Sequence, residues 1–219
     1  MDINVLKSYL PLYIDALILT VKTGWFGILA AFLTGLLGSA LLYFKVPVLR
    51  RVVGLYVELF RNTPLLVQLF FLYFALPKLG IRMTAQTCGV LGLGLLGGAY
   101  MIETIRSGLE SIDKIQNESA LSLGMTKGQV FYHIILPEAF AVSMPGIIAN
   151  IIFLLKETSV FSTISLMDLM FTAKDLIGMY AKTIECLFLL VVFYLIMLLP
   201  VSVLGSIVER RVRYAEFGD

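Results

Sequence analysis

Residues 118–137 read ESALSLGMTKGQVFYHIILP, a polar stretch inside a very apolar chain. The stretch is too polar to cross a membrane, and its turn residues are too regularly placed for a plain loop. Asp113 can cap a first helix, and Gly124 can end that helix with a positive φ, which glycine tolerates best. Thr126 can begin a second helix, with Gln129 at the position that a capping box requires. The sequence therefore predicts a short helix, a tight turn and a second short helix.

The second helix is expected to stop at Pro137, because proline has no amide hydrogen to donate. Its apolar side chains recur at helical spacing, which predicts one face packed on the rest of the chain. These side chains are Val130, Phe131, Ile134 and Ile135. An amphipathic helix pair at a membrane surface has the same pattern, so the pattern alone leaves the role of this segment open.

The composition outside this segment is that of a membrane protein. Of the 219 residues, 59% are hydrophobic and 15% are charged, with a mean hydropathy of +0.92. Soluble domains average about 45–50% apolar and about 25% charged residues. The net charge of +2 indicates no basic surface for nucleic acid. Cys88 and Cys186 form neither a disulfide framework nor a metal pattern, so we expect buried, inert thiols and no metal site.

The apolar stretches are long enough for about five membrane-spanning helices, each of which needs about 20 apolar residues. The first apolar stretch lacks a cleavage site of small residues, which favours a retained span over a removed signal. We expect one all-α domain over residues 1–219, with a cytoplasmic loop at about 111–137. The spans are expected within Leu12–Phe44 and at about Leu55–Leu76, Gln86–Ile105, Phe140–Leu155 and Thr183–Val208.

The lysines and arginines of the connecting segments predict the orientation, since cytoplasmic loops are enriched in them. The larger set follows the first span, the third span and the fifth span, and it is Lys45, Arg50, Arg51, Arg106, Lys114, Lys127, Arg210, Arg211 and Arg213. The smaller set lies on the other side, and it is Lys7, Lys78, Arg82, Lys174 and Lys182. We therefore expect the N-terminus outside and the C-terminus in the cytoplasm.

Small residues form stripes on two of the predicted spans. Gly27, Ala31, Gly35 and Ser39 recur every fourth position in the first span, and Gly94 and Gly98 do so in the third. Such stripes allow membrane helices to approach closely. They fit either a contact within the subunit or a helix that rotates against a neighbour.

The motif Glu118-Ser119-Ala120, then Gly124, then Ile134-Ile135-Leu136-Pro137 resembles the EAA loop of the membrane subunits of bacterial ATP-binding-cassette importers. The match departs from the family pattern at Ser119, where the second residue of the triplet is usually alanine. Serine is small enough to keep the same close contact. The resemblance implies that this loop docks a separate ATPase subunit as a coupling helix. The docking residues it implies are Glu118, Ser119, Ala120, Gly124 and Met125.

Three further stretches resemble the polar amino-acid permeases of the histidine, glutamine and arginine type. They are VELFRNTPLLVQLFF at residues 57–71, GAYMIE at 98–103 and LLKETS at 154–159. With the loop they cover most of residues 12–210, and they are more specific than the loop alone. The resemblance implies a permease dimer of identical or mixed subunits, two ATPases that hold ATP and Mg²⁺, and an external substrate-binding protein.

The sequence agrees with a subunit that has no active site of its own. It contains no G-x-x-x-x-G-K-[ST] phosphate loop, so ATP would have to be hydrolysed by another chain. No zinc-protease motif and no defined polar cluster supports a membrane enzyme. A passive channel would need no ATPase dock, yet the dock is the clearest feature of the chain.

Two charged pairs lie within the predicted spans, where ionisable groups are costly. Glu58 and Arg61 are spaced to pair on one helix face near its cytoplasmic end, and Glu103 and Arg106 have the same spacing. These residues either lock helices together or form a polar ring at a cytosolic gate.

The candidates for substrate contact lie in the third span, in the fourth span and directly after the fourth span. Glu157 could hold the ammonium group of an amino acid, and the hydroxyls of Thr158 and Ser159 could hold its carboxylate. Asn150 and Tyr100 could line the same cavity, because amphipathic side chains suit a partly hydrated wall. The alternative is a lysine–glutamate pair at the membrane interface and an ordinary helix end.

Overall fold

The computed structural model describes residues 3–44 and 46–217, and within these ranges the chain is helical with no strand. Helix α1 spans Ile3–Tyr43, which is 41 residues or about 60 Å at 1.5 Å per residue. It contains the first predicted span and begins nine positions before it. Lys45, which the charge count placed in the following loop, lies outside the described residues.

The second predicted span is not one straight helix. Helix α2 spans Pro47–Arg61, helix α3 spans Leu65–Phe70, and the chain bends by 101° between them. The sequence breaks here because Pro64 has no amide hydrogen and disfavours a helical conformation at the residue before it. After α3 the chain continues through a π turn at Phe71–Ala75 and a 3₁₀ turn at Leu76–Leu79.

Gln68 stabilises the break between α2 and α3. Its side-chain amide donates to the backbone carbonyl of Phe60 at 3.2 Å and to that of Thr63 at 3.0 Å. These carbonyls would otherwise lack a helical partner at the end of α2. Gln68, which follows the proline, thus stabilises the bend. The bend places the end of α2 at the middle of the protein.

Helix α4 spans Ala85–Ser111 and runs parallel to α1. A Cβ atom on Gly27 would lie 2.7 Å from that of Leu93, and Gly35 leaves equally little room beside Met101. Gly35 lies eight residues after Gly27, and its neighbour Met101 lies eight residues after Leu93. Helices α1 and α4 therefore run in the same direction. The intervening α2–α3 segment therefore returns the chain to the side on which α1 begins. The glycine stripes are contacts within the subunit in this structure.

The polar segment folds largely as predicted, with α5 at Lys114–Ser122 and α6 at Lys127–Val130. Asp113 accepts a hydrogen bond from the amide of Ile115, and Gly124 has a φ of +85°. Thr126 and Gln129 form the capping box in both directions. The helix start, the turn and the second start are all confirmed.

The predicted stop at Pro137 is wrong. Helix α6 runs through a π turn at Phe131–Ile135 into α7, which spans Leu136–Glu157, so the fourth predicted span lies within a longer continuous helix. A proline in the first turn of α7 requires no amide donor, and the π turn before it changes the hydrogen-bonding register. The second helix of the polar segment is therefore continuous with the fourth span.

Helix α7 runs antiparallel to α4 and is followed by a 3₁₀ turn at Thr158–Ile164 and by α8 at Leu169–Tyr180. Helix α9 spans Thr183–Phe217 and contains the fifth predicted span. The hydroxyl of Tyr13 donates to the carbonyl of Cys186 at 2.7 Å, so α1 and α9 begin side by side.

Further along, Trp25 on α1 and Pro200 on α9 line a common cleft, so these two helices run parallel. Helices α1, α4 and α9 therefore start at one end of the bundle, and the polar segment lies at the other. In the described part of the chain, four helices are long and apolar enough to span a membrane, and the bent α2–α3 pair can count as a fifth. The all-α polytopic fold is confirmed.

Candidate functional site

A cavity of about 390 Å³ opens beside the middle of α4, bounded by the α2–α3 break and the end of α7. Its wall contains three of the sequence-predicted candidates from distant positions, namely Arg61, Tyr100 and Glu157. The ring of Phe153 packs edge-on against that of Tyr100, with 5.4 Å between the centroids. The cavity thus combines an aromatic wall with one cationic and one anionic side chain.

Arg61 lies at the last position of α2, where the bend turns its side chain toward α4. Its guanidinium lies 3.1 Å from the carboxylate of Glu103 and 5.4 Å from the centre of the Tyr100 ring. The side chain is still 40% exposed, so some of its donors remain available to the cavity. The partner differs from the predicted Glu58, and Arg61 lies level with the middle of α4 and not near an end of the bundle.

The predicted pair of Glu58 with Arg61 is absent. Glu58 is exposed and forms no ion pair with any described residue. The bend after α2 explains the change, since it brings Arg61 within reach of another helix. A pair between helices therefore replaces the pair along one helix face.

The predicted pair of Glu103 with Arg106 is confirmed. The guanidinium of Arg106 donates to both oxygens of Glu103, at 3.2 and 3.0 Å, and to Glu110 at 2.7 Å. Four charges of alternating sign thus follow one another from the cavity along α4 toward the polar segment. Glu110 was not selected from the sequence, although its i,i+4 spacing from Arg106 was a visible signal.

Glu157 lines the cavity at the last position of α7. Within the described ranges, no lysine or arginine forms an ion pair with it. Lys156 is exposed, and consecutive helix residues point about 100° apart. The carboxylate is therefore a partly buried anion that faces a cavity without a protein counter-ion.

The remaining candidates, from α7 and the 3₁₀ turn after it, lie outside the cavity wall. Thr158 is fully buried, and its hydroxyl donates to the carbonyl of Leu155 at 2.7 Å. Ser159 is partly buried in the 3₁₀ turn, where its carbonyl accepts from the hydroxyl of Ser162 at 3.1 Å. The amide of Asn150 donates to the hydroxyl of Thr104 at 2.8 Å, one layer below Tyr100.

The polar segment presents a compact exposed surface at the other end of the bundle. Glu118, Ser119 and Gly124 are exposed, while Ala120 is buried under them. The amide of Met125 donates to the carbonyl of Ala120 at 3.2 Å and closes the turn. At the tip, the side chain of Leu123 is 85% exposed. The sequence gives no signal for this leucine, because it belongs to no predicted helix face.

Comparison with known proteins identifies the family. Residues 24–214 match the family described as the binding-protein-dependent transport system inner membrane component, which is most of the chain. The chain belongs to this family. It is therefore a multi-span inner-membrane permease component of a binding-protein-dependent transport system. Among the described residues, no group of three or more histidines, cysteines or carboxylates could hold a metal ion.

Individual relatives agree with the family assignment. A probable glutamine ABC transporter permease protein of Bacillus subtilis, GlnP, is 37% identical over 80% of each chain. The arginine transport system permease protein ArtQ of the same organism is 30% identical over 97% of this chain and 98% of its own. A solved structure described as an amino acid ABC transporter with histidines superposes with a TM-score of 0.89 at 33% identity, covering 96% of this chain and 99% of the other.

Proposed function

We propose that this permease is the membrane subunit of an ATP-driven importer of polar or charged amino acids. The observation that carries the proposal is the cavity in which Arg61 and Glu157 lie together. A free amino acid has an ammonium group and a carboxylate, and the cavity offers one partner of opposite charge for each. The relatives named for glutamine and arginine transport support the same substrate class.

In this proposal Glu157 holds the ammonium group of the substrate, and the donors of Arg61 that Glu103 leaves free hold its carboxylate. The Tyr100 ring fixes the Arg61 guanidinium by a cation–π contact and shields one face of it from water. The substrate side chain then projects toward the open side of the cavity. The single chain leaves this side uncovered, and a second copy or a paralogue would close the path there.

The polar segment is proposed as the contact with the ATPase. The proposed contact residues are Glu118, Ser119 and Ala120 at the end of α5 and Gly124 and Met125 in the turn after it, and the exposed Leu123 adds an apolar tip for a groove on the partner. Because α6 continues into α7 without a stop, displacement of this segment would move the helix that ends at Glu157. Closure of the ATPase dimer around ATP and Mg²⁺ would thereby move the cavity wall at Glu157.

The proposed orientation places the N-terminus outside and the C-terminus in the cytoplasm. The parallel course of α1, α4 and α9 supports it, since Lys78, Arg82 and Lys182 then lie at the end where these helices begin. The polar segment lies at the opposite end with Arg106, Lys114 and Lys127, which is the side that the charge rule assigns to the cytoplasm. An external binding protein would deliver substrate to the first of these ends.

Reconstitution tests the proposal directly. The permease would be assembled in proteoliposomes with an ATPase subunit and a substrate-binding protein from the same organism, and uptake of labelled glutamine, arginine, histidine and leucine would be measured. We expect uptake of polar amino acids that requires ATP and the ATPase, with little uptake of leucine. Flux without ATP would indicate a passive channel. An assembled complex that hydrolyses ATP but imports none of the polar amino acids would contradict the substrate class.

A further inference from the structure

A second cavity lies directly below the first on the same pair of helices. It has a volume of about 370 Å³ and is lined by Glu103, Thr104 and Ser107 of α4 and by Val142 and Ser143 of α7, among others. The first cavity is lined by residues nearer the start of α4 and the end of α7. Since these helices are antiparallel, the second cavity lies on the side of the polar segment.

A single polar layer separates the two cavities. It consists of the ion pair of Arg61 with Glu103 at 3.1 Å and the hydrogen bond from Asn150 to Thr104 at 2.8 Å. Arg61 lines the upper cavity, and Glu103 lines the lower one. The ion pair therefore joins the floor of one cavity to the roof of the other.

We propose that the lower cavity is a release vestibule for the amino acid, and that the contact between Arg61 and Glu103 is the gate that the substrate crosses to reach it. This inference rests on the proposed function as an amino-acid importer. The vestibule wall carries the hydroxyls of Thr104, Ser107 and Ser143 beside a carboxylate whose charge is already compensated. Such a wall suits a hydrated zwitterion, which it can solvate without holding tightly.

The gate can open without leaving a buried charge unpaired. When Arg61 moves away, Glu103 keeps both hydrogen bonds from Arg106, at 3.2 and 3.0 Å. Arg61 keeps the face of Tyr100, and the carboxylate of a passing substrate can take the place of Glu103 as its counter-ion. Breaking a pair is expensive mainly when one charge is left uncompensated, and here neither is.

The first test fills the vestibule. Val142→Trp places a large ring in it, and Val208→Trp on α9 is the matched control, because the two valines are 42% and 45% exposed and Val208 lines neither cavity. In the reconstituted complex we expect Val142→Trp to lower uptake at least tenfold while the amino acid still raises the thermal stability of the complex. Val208→Trp should transport like the wild type. Uptake by Val142→Trp equal to that of Val208→Trp would overturn the vestibule.

The second test needs no bulky side chain and covers the case in which Val142→Trp does not assemble. Cys88 and Cys186 are fully buried, so a single introduced cysteine can be read against a low background. In everted vesicles, Ser107→Cys should react with a charged, membrane-impermeant thiol reagent much faster than Leu195→Cys, since only a hydrated thiol forms the reactive thiolate and Leu195 is 48% exposed at the middle of the fifth span, where it faces lipid. Equal rates would overturn the inference, whereas wild-type vesicles without ATP-dependent uptake would instead contradict the proposed function.

Discussion

The guanidinium of Arg61 at the break in the second span lies 3.1 Å from the carboxylate of Glu103 on α4. This contact ties the end of α2 to a helix that is adjacent in space but distant in sequence. It exists because the bend at Pro64 ends α2 at Arg61, level with the middle of α4. The bend at Pro64 thus determines that Arg61 pairs with Glu103.

A double-mutant cycle measures this pair. Arg61→Gln and Glu103→Gln, singly and together, should show a coupling energy of about 1 kcal/mol in the free energy of unfolding, because both side chains are only partly buried. The measurement is reversible unfolding in mixed micelles. The matched control pairs Arg61→Gln with Glu58→Gln, and its coupling should be within about 0.5 kcal/mol of zero. Larger coupling to Glu58 than to Glu103 would contradict the geometry.

The sequence predicts the helices and the start signals well, because each depends on residues a few positions apart. The capping box of Thr126 with Gln129 and the positive φ of Gly124 are local and were both predicted. The predicted stop at Pro137 is wrong, since the π turn at Phe131–Ile135 changes the hydrogen-bonding register just before the proline and the helix continues through it. Whether a proline ends or begins a helix depends on the hydrogen bonds around it.

The cavity could be predicted only in part. Arg61 is indicated by the cost of a charge in a membrane span, Glu157 by its fit to a substrate ammonium group and Tyr100 by its amphipathic ring, and the structure brings the three together. The partner of Arg61 could not be read from spacing, because the 101° bend after α2 changes its reach. The Asn-Thr-Pro sequence at residues 62–64 was the available signal for that bend. Thr158 was selected for its hydroxyl, but the helix end buries it.

The turn of the polar segment gives the second prediction. Gly124→Val should reduce ATP-dependent uptake strongly, because a β-branched residue at a φ of +85° is strained even though no atom lies within 4 Å of its Cβ position. Gly178→Val on α8 is the control, since that position is equally open but has no positive φ. Uptake and membrane insertion are measured together. Normal uptake by Gly124→Val would remove the coupling role from this turn.

The orientation can be tested with single cysteines. Replacements at Arg51 and Lys127 should be labelled by a membrane-impermeant reagent only from the cytoplasmic side, and a replacement at Lys174 only from the outside. Arg51, Lys127 and Lys174 are exposed, whereas the native Cys88 and Cys186 are buried and give little background. Labelling in sealed cells and in everted vesicles is compared. Labelling of the Lys127 position in sealed cells would reverse the proposed orientation.

Asp168 caps α8 and gives a prediction about pH. The carboxyl is fully buried, the amide of Phe171 donates to its Oδ1 at 2.8 Å, and Oδ2 has no hydrogen-bond partner among the described residues. Burial raises the pKa of Asp168 from 3.8 to about 7, although the backbone amides oppose the shift. Between these values the folded protein binds a proton that the unfolded chain does not. Stability should therefore fall as the pH rises through this range.

Asp168→Asn keeps a capping oxygen and removes the titration. The thermal unfolding temperature of this variant should change less between about pH 5 and about pH 8 than that of the wild type. Asp175→Asn, at an exposed position of the same helix, should keep the wild-type pH dependence. A wild-type slope in Asp168→Asn would show that other groups control stability in this range.

Glu157 provides the sharpest test of substrate binding. It faces the cavity without a protein counter-ion among the described residues, and an unpaired carboxylate in an apolar setting is unfavourable. Glu157→Gln keeps the shape of the side chain and removes the charge. If the substrate ammonium is its partner, transport should weaken at least tenfold and the thermal stabilisation by the amino acid should disappear, while the empty complex stays as stable as the wild type.

Lys156→Gln is the matched control for this change, because it removes a charge from the adjacent but exposed position. It should transport normally. A loss of stability in the empty Glu157→Gln complex would instead indicate a structural partner supplied by another subunit. Unchanged transport and unchanged stability would place the Glu157 carboxylate in water, since only a solvated charge can be removed without effect on either quantity. The cavity would then have no partner for the substrate ammonium group. Arg61 alone could not select an amino acid over any other carboxylate.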